Sequence, residues 1–192
     1  MKKLLILLPV LAFVLFSSCK KEKDEEKPDK KIIVQQFFQA TMDAFGTMSA
    51  AKSTQPINCP IEYRMFSSQG GNIHVLGTIT GSFLFNDQTH QFTGGSLNLG
   101  FTETASDFII SDNGVNYTLN GAPYATLTGL FTYLPDMTFG TASSLHYAGA
   151  FRVTGPNYDE TTNMDINIII NSNGTGGTVS GYIGDEQINY TF

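Results

Sequence analysis

Two hydrophobic periods follow one another along the chain. From about Lys30 to Ala50, the residues Val34, Phe37, Phe38, Thr41, Met42, Phe45 and Met48 recur at three- and four-residue steps, while Gln35, Gln36, Gln39 and Asp43 fall on the opposite side. That spacing lays an apolar stripe along one face of an amphipathic helix, and Asp29 stands where an N-cap would accept a free backbone N–H. The expected role of the helix is to pack on a sheet, with a ligand lid as the minor alternative.

After Pro56 the period changes to two and holds to the C-terminus. "NIHVLGTITGSFLF" puts Ile73, Val75, Ile79, Phe83 and Phe85 on one face and His74, Thr78, Thr80 and Ser82 on the other, and "LHYAGAFRV" and "MDINIII" alternate in the same way. Half-buried strands alternate like this. The pattern predicts nine or ten strands, at roughly 60–66, 72–85, 90–101, 107–111, 115–120, 124–134, 143–154, 162–170, 178–183 and 187–192. Turn residues fall between them at Asn86-Asp87, Asp112-Asn113-Gly114, Pro135-Asp136, Gly155-Pro156-Asn157, Asn171 to Gly177 and Gly184-Asp185. Asn113-Gly114 is a strong hairpin signal, because both central positions of a type I′ turn require positive φ. Connections this short hold no crossover helix, so the sheet is expected to be antiparallel and mostly a meander.

A weak repeat supports growth by hairpins. "TGSFLFNDQTHQFTGGSLNL" from Thr80 and "TGLFTYLPDMTFGTASSLHY" from Thr128 align at an offset of 48, with a fainter echo from Ser180. Glycines inside the strands, at Gly77, Gly81, Gly129, Gly149 and Gly181, mark bends or bulges and hence a strongly curved sheet. The fold class is therefore mainly β: one N-terminal amphipathic helix, then a curved antiparallel meander of about nine or ten strands. An open sheet of that size curls or splits. A barrel, a half-barrel wrapped around the helix and a sandwich are the candidates.

The segment ahead of the helix carries an address. Lys2 and Lys3 precede an apolar run of 13 residues, Leu4 to Phe16, which is too short to span a bilayer, where ~20 are needed. Ser17, Ser18 and Cys19 follow directly, and "SSC" at the end of such a run resembles the lipobox of bacterial lipoproteins. The resemblance implies a signal peptide over 1–18 and acylation of Cys19 as the new N-terminus. With more than one acyl chain, and ~0.8 kcal/mol for each buried CH₂, that anchor would be stable without a transmembrane helix. Next comes "KKEKDEEKPDKK", which has too little apolar surface to order by itself. Lys followed by acids just after the cysteine resembles the surface-export signal of lipoproteins in one Gram-negative phylum. The expected organisation is signal peptide 1–18, charged tether 19–30 and a single helix-plus-β domain 31–192, lipid-anchored at the outer membrane on the cell surface or, alternatively, on its periplasmic face.

Charge then narrows the partners. Eight of the eleven Lys and Arg lie at or before Lys31, so the three beyond it face the twelve acids from Asp43 to Glu186, a formal charge of −9. Nucleic acid is not an expected partner, since a positive field supplies most of that affinity. A domain of this length buries ~70% of its unfolded surface and needs neither metal nor disulfide to hold a core. With Cys19 acylated, Cys59 is left as a lone thiol.

Catalytic signals are weak. His74, His90 and His146 lack the close spacing of metal ligands, so no metal site is expected. "NSNGTGG", 171 to 177, leads into a strand and not a helix, so it reads as a hairpin loop and not a phosphate cradle. Its likeness to a calcium loop lacks the acidic ligands and the closing Glu. Asp159-Glu160 and Asp185-Glu186 are adjacent turn acids, and no G-x-S-x-G elbow occurs. Neither catalytic residues nor a cofactor are expected. "INYTF" at the C-terminus resembles the closing strand of outer-membrane barrels, yet several strands fall short of the 9–11 residues such a barrel needs.

The expectation is thus a non-enzymatic binding module at the cell envelope. It would hold a lipid or other small apolar ligand in a cavity, as calycin-like and lipoprotein-carrier-like architectures do, although the chain has no Trp and so no Gly-x-Trp of the lipocalin type. The alternative is an adhesion or accessory protein with a filled core that contacts an envelope protein or glycan. A small integral outer-membrane barrel is the further alternative.

Overall fold

A computed structural model describes residues 27–47 and 56–192, apart from 142 and 175. One helix, α1 (Lys30–Gly46), precedes nine strands: β1 (Ile57–Phe66), β2 (Asn72–Phe85), β3 (Phe92–Ser106), β4 (Phe108–Asp112), β5 (Val115–Tyr133), β6 (Ser144–Gly155), β7 (Tyr158–Ile170), β8 (Gly177–Ile183) and β9 (Glu186–Thr191). All pair antiparallel in one sheet of order β1-β2-β3-β5-β6-β7-β8-β9, with β4 also on β5. The sheet is not closed, so β1 and β9 are its two edges. Of the three candidate architectures, the half-barrel around the helix is the one found.

β3 and β4 form one long arm of a hairpin against β5. Gly95 faces Tyr133 at one end, Phe108 faces Leu119 farther on, and Asn113 (φ 50°) and Gly114 (φ 82°) make the turn that the Asn-Gly pair predicts. Asp107, at φ 48°, kinks the arm between β3 and β4, and its N–H is taken by Asn120 Oδ1 at 2.8 Å. The two strands expected at 115–120 and 124–134 are one, β5. Proline removes a ladder donor and so reads as a break, but Pro123 falls inside a bulge between Gly121 and Ala125 where no ladder bond is lost.

Curvature comes from glycines where neighbouring backbone crowds in. A Cβ on Gly181 would lie 2.0 Å from the Asp165 carbonyl oxygen, and its φ of 142° is one that L side chains avoid. The concave face is lined by the inward residues of successive strands, among them Ile73, Val75, Leu97, Leu99, Leu127, Phe151, Ile166, Val179 and Ile188.

α1 occupies that concavity. Asp29 caps it, accepting the Lys31 N–H at 2.8 Å, as its position in the sequence implies. The buried face is Ile33, Val34, Phe37, Ala40, Thr41 and Ala44, rotated from the expected stripe, while Phe38, Met42 and Phe45 are half-buried. Each large apolar side chain buried here contributes roughly 1.5–3 kcal/mol, so packing and not helix propensity holds α1 in place. The continuation expected as far as Ala50 lies outside the described residues.

The helix also sets a direction. At its start, the Asp29 N–H donates to Asp112 Oδ2 (2.8 Å), and Lys30 Nζ donates to the Ile183 carbonyl (3.0 Å) and pairs with Glu186 (3.5 Å), beside the β4–β5 and β8–β9 turns. About 25 Å later, Phe45 packs on Phe131, near the β2–β3, β5–β6 and β7–β8 loops. We call these the near end and the far end.

Candidate functional site

A carboxyl lies in the core. Glu103 is on β3 in phase with Leu97, Leu99, Phe101 and Ala105, so the strand's period of two turns it inward, where it is fully buried. Thr41 of α1 donates from Oγ1 to Glu103 Oε1, and the same Oγ1 lies 2.7 Å from the Tyr147 hydroxyl of β6. That hydroxyl also reaches the Phe37 carbonyl at 3.4 Å. Glu103 Oε2 has no hydrogen-bond partner among the described residues. Burial disfavours the charged form and pushes the Glu103 carboxyl up to about 8, with the Thr41 hydrogen bond pulling weakly the other way. Burial and the neighbouring Glu103 likewise raise the Tyr147 phenol well above its ordinary range.

The far end carries a chain of seven rings. Phe85 meets Phe92 (5.8 Å between centroids), Phe92 meets Phe83 (5.8 Å), Phe83 meets Tyr133 (5.6 Å) and Tyr133 meets Phe139 (5.2 Å). Phe139 then meets Phe131 (5.4 Å), which meets Phe45 (5.3 Å). These separations lie within the range of favourable aromatic pairing. The chain therefore runs from the solvent at Phe85 to the end of α1. Of the ten large apolar side chains that are exposed among the described residues, six are at this end: Leu84, Phe85, Leu134, Met137, Ile169 and Phe192. Polar turns surround them. Asn86 Oδ1 accepts from the Gln88 and Thr89 N–H groups, and Asp136 Oδ1 from the N–H and hydroxyl of Thr138, which holds the Asp136 carboxyl below its ordinary value.

Two grooves flank α1. One, of about 360 Å³, lies toward β9 over Val34, Phe38, Ile168, Val179 and Phe192, and the other, of about 280 Å³, lies toward the β1–β2 turn beside Ile32, Met65 and Phe108.

The residues singled out from sequence fall elsewhere. Cys19, the expected acylation site, lies outside the described residues, as do the signal peptide and the tether up to residue 26. Cys59 is half-buried on edge strand β1. His74 and His146 point outward to Glu62 (3.1 Å) and Asp165 (2.9 Å), and His90 is in the β2–β3 turn. Among the described residues no three His, Cys, Asp or Glu side chains converge on a common point. Asp159 and Glu160, expected in a turn, lie instead in β7, where alternation sends Asp159 to Arg152 and Glu160 to the Tyr158 hydroxyl, from which it accepts. "NSNGTGG" links β7 to β8, with the Asn171 N–H donating to the Gly176 carbonyl at 2.8 Å. Tyr190 and Ile188 of "INYTF" face inward, and Phe192 meets Phe38 edge to face with centroids 5.4 Å apart. Glu103 escapes a reading that ends its strand at Phe101, since Thr-Glu-Thr-Ala-Ser is polar in composition. The alternation from Leu97 through Ala105 was the signal that placed it inside. No helix among the described residues is long and apolar enough to cross a membrane. Compared with protein-family models, with curated proteins and with solved structures, the chain matches none.

Proposed function

We propose that this protein is a cell-envelope lipoprotein, anchored through acylated Cys19, whose β domain is a non-catalytic binding module that meets a protein partner with its far end. The observation that carries the proposal is the concentration of exposed apolar side chains around Phe85, Leu134 and Met137, at the end opposite Lys30. Exposed apolar clusters rimmed by polar residues are characteristic of interaction sites. A chain tethered ahead of Lys30 would hold this end away from the membrane. Lipid is then not its natural occupant.

The concave side is occupied by α1 and by buried Phe37, Phe131, Tyr147 and Phe151, which favours contact through the surface over a ligand held inside. The convex face presents His74, Thr128, Asp165 and Asn167, and an integral barrel would need an apolar band there. Both observations weigh toward the accessory or adhesion alternative.

A photo-crosslinking residue placed at Met137 in intact cells tests it. A discrete adduct from position 137, absent when the same residue replaces Leu76 or Tyr182 on the convex face, is the expected result. Equal crosslinking from all three positions, or none from 137, would contradict it.

A further inference from the structure

Among the described residues, the Glu103 cluster is where α1 meets the middle of the sheet through polar atoms. The groups facing Glu103 are few: Val75 and Ala125 lie directly across on β2 and β5, Tyr147 faces it from β6, and Thr41 from α1. Tyr147 is the titratable side chain among them. Asp43, the next titratable residue along α1, is turned toward Tyr63 of β1 at 3.5 Å. His74, His146 and Arg152 sit on the convex face with Glu62, Asp165 and Asp159. Among the described residues no cation faces the carboxyl, so the seated arrangement accepts it as the neutral acid and resists the anion.

The ladder hydrogen bonds of the sheet do not involve the helix. Every strand finds its ladder partners within the sheet, and α1 is held by side chains and its capping contacts alone. Withdrawing α1 therefore breaks no strand pairing. It would uncover Leu99, Phe101, Leu127 and Phe151, an apolar surface.

We propose that Glu103, Thr41 and Tyr147 form a proton-operated latch, which seats α1 in the concave face while the Glu103 carboxyl is neutral and frees the helix when that carboxyl is ionised. Thr41 couples the two parts, because its hydroxyl belongs to the helix and its partners belong to the sheet. Ionisation leaves Oε2 as a buried charged oxygen without a donor, and lifting α1 admits the water that would solvate it. The latch does not rest on the reading of the far end as a partner surface.

Hydrogen exchange of the α1 amides from Phe37 to Ala44 as a function of pH, corrected for the intrinsic rate, tests the latch on the full chain. With the carboxyl at about 8 when seated and at its ordinary 4.5 when released, the opening constant rises about tenfold per pH unit between those values and levels off above them. Amides of β5 to β7, which open only on global unfolding, should stay more strongly protected than those of α1 at every pH. Glu103→Gln should remove the pH dependence. Thr41→Val, which deletes the hydroxyl that favours the anion, should push the plateau to higher pH, and it serves as the test where the Gln variant fails to fold. Opening of α1 that does not vary with pH in the wild type, a dependence that persists in Glu103→Gln, or sheet amides no better protected than those of the helix would each overturn the latch.

Discussion

Phe45, in the last turn of α1, meets Phe131 of β5 edge to face, with ring centroids 5.3 Å apart and planes at 71°. This contact joins the helix to the aromatic chain of the far end, and Phe131 is itself fully buried. Truncating Phe131 to Ala removes a ring from the core and from two ring pairs. A loss of about 3–5 kcal/mol is expected in urea unfolding, with exchange in the C-terminal turn of α1 rising first. A loss below about 1 kcal/mol would mean that the ring chain is not part of the core.

Glu103 should make global stability depend on pH in an unusual direction. Its carboxyl is raised in the folded chain, to about 8 from an ordinary 4.5, so the folded state holds its proton over a range where the unfolded state has lost it. Unfolding then releases a proton, and stability falls as pH rises from about 4.5 to about 8, then flattens. Glu103→Gln should flatten the profile and exceed the wild type in urea midpoint at pH 8. The two should converge near pH 4.5.

Two glycines with different surroundings test the origin of the curvature. Gly181 is held at φ 142° with the Asp165 carbonyl where a Cβ would go, whereas Gly100 has open space. Gly181→Ala should cost about 2 kcal/mol or more, and Gly100→Ala should be neutral or slightly stabilising, since alanine orders more cheaply than glycine. Equal effects on thermal midpoint would remove the steric account of the bend.

The exposed apolar residues of the far end should contribute to contact and not to folding. Leu84→Ser and Met137→Ser remove side chains that are more than half exposed. Their unfolding free energies should stay within about 0.5 kcal/mol of the wild type. Reduced partner crosslinking in the same variants would separate binding from stability.

Anchoring makes a separate prediction. Cys19→Ala should abolish incorporation of labelled fatty acid and release the chain from membranes, because no helix among the described residues is long and apolar enough to hold it there instead. Continued labelling of that variant would end the lipoprotein proposal.

Much of this fold was legible because its signals are local. The Asp29 cap, the alternation in β2, β6 and β7 and the Asn113-Gly114 turn each depend on residues within one element. The joining of 115–120 with 124–134 was hidden because Pro123 reads as a stop, and only the pairing of β5 with β3, β4 and β6 shows that a bulge absorbs it. Pro60 hid the start of β1 in the same manner, being tolerated on an edge strand. The candidate sites were harder. Thr41, Glu103 and Tyr147 are separated by 62 and 44 positions, and the ring chain joins four elements and a loop. Proximity of that kind comes from sheet order and the placement of α1, which period-two patterning does not encode.

The most direct test of the central claim is native mass spectrometry of the Cys19→Ala chain, purified from the cells that make it, before and after organic extraction. A domain filled by α1 and its own side chains, and binding through its far end, predicts one mass in both samples and no extracted ligand. A stoichiometric lipid that leaves on extraction while the domain stays folded would contradict the account and return the binding site to the interior of the sheet.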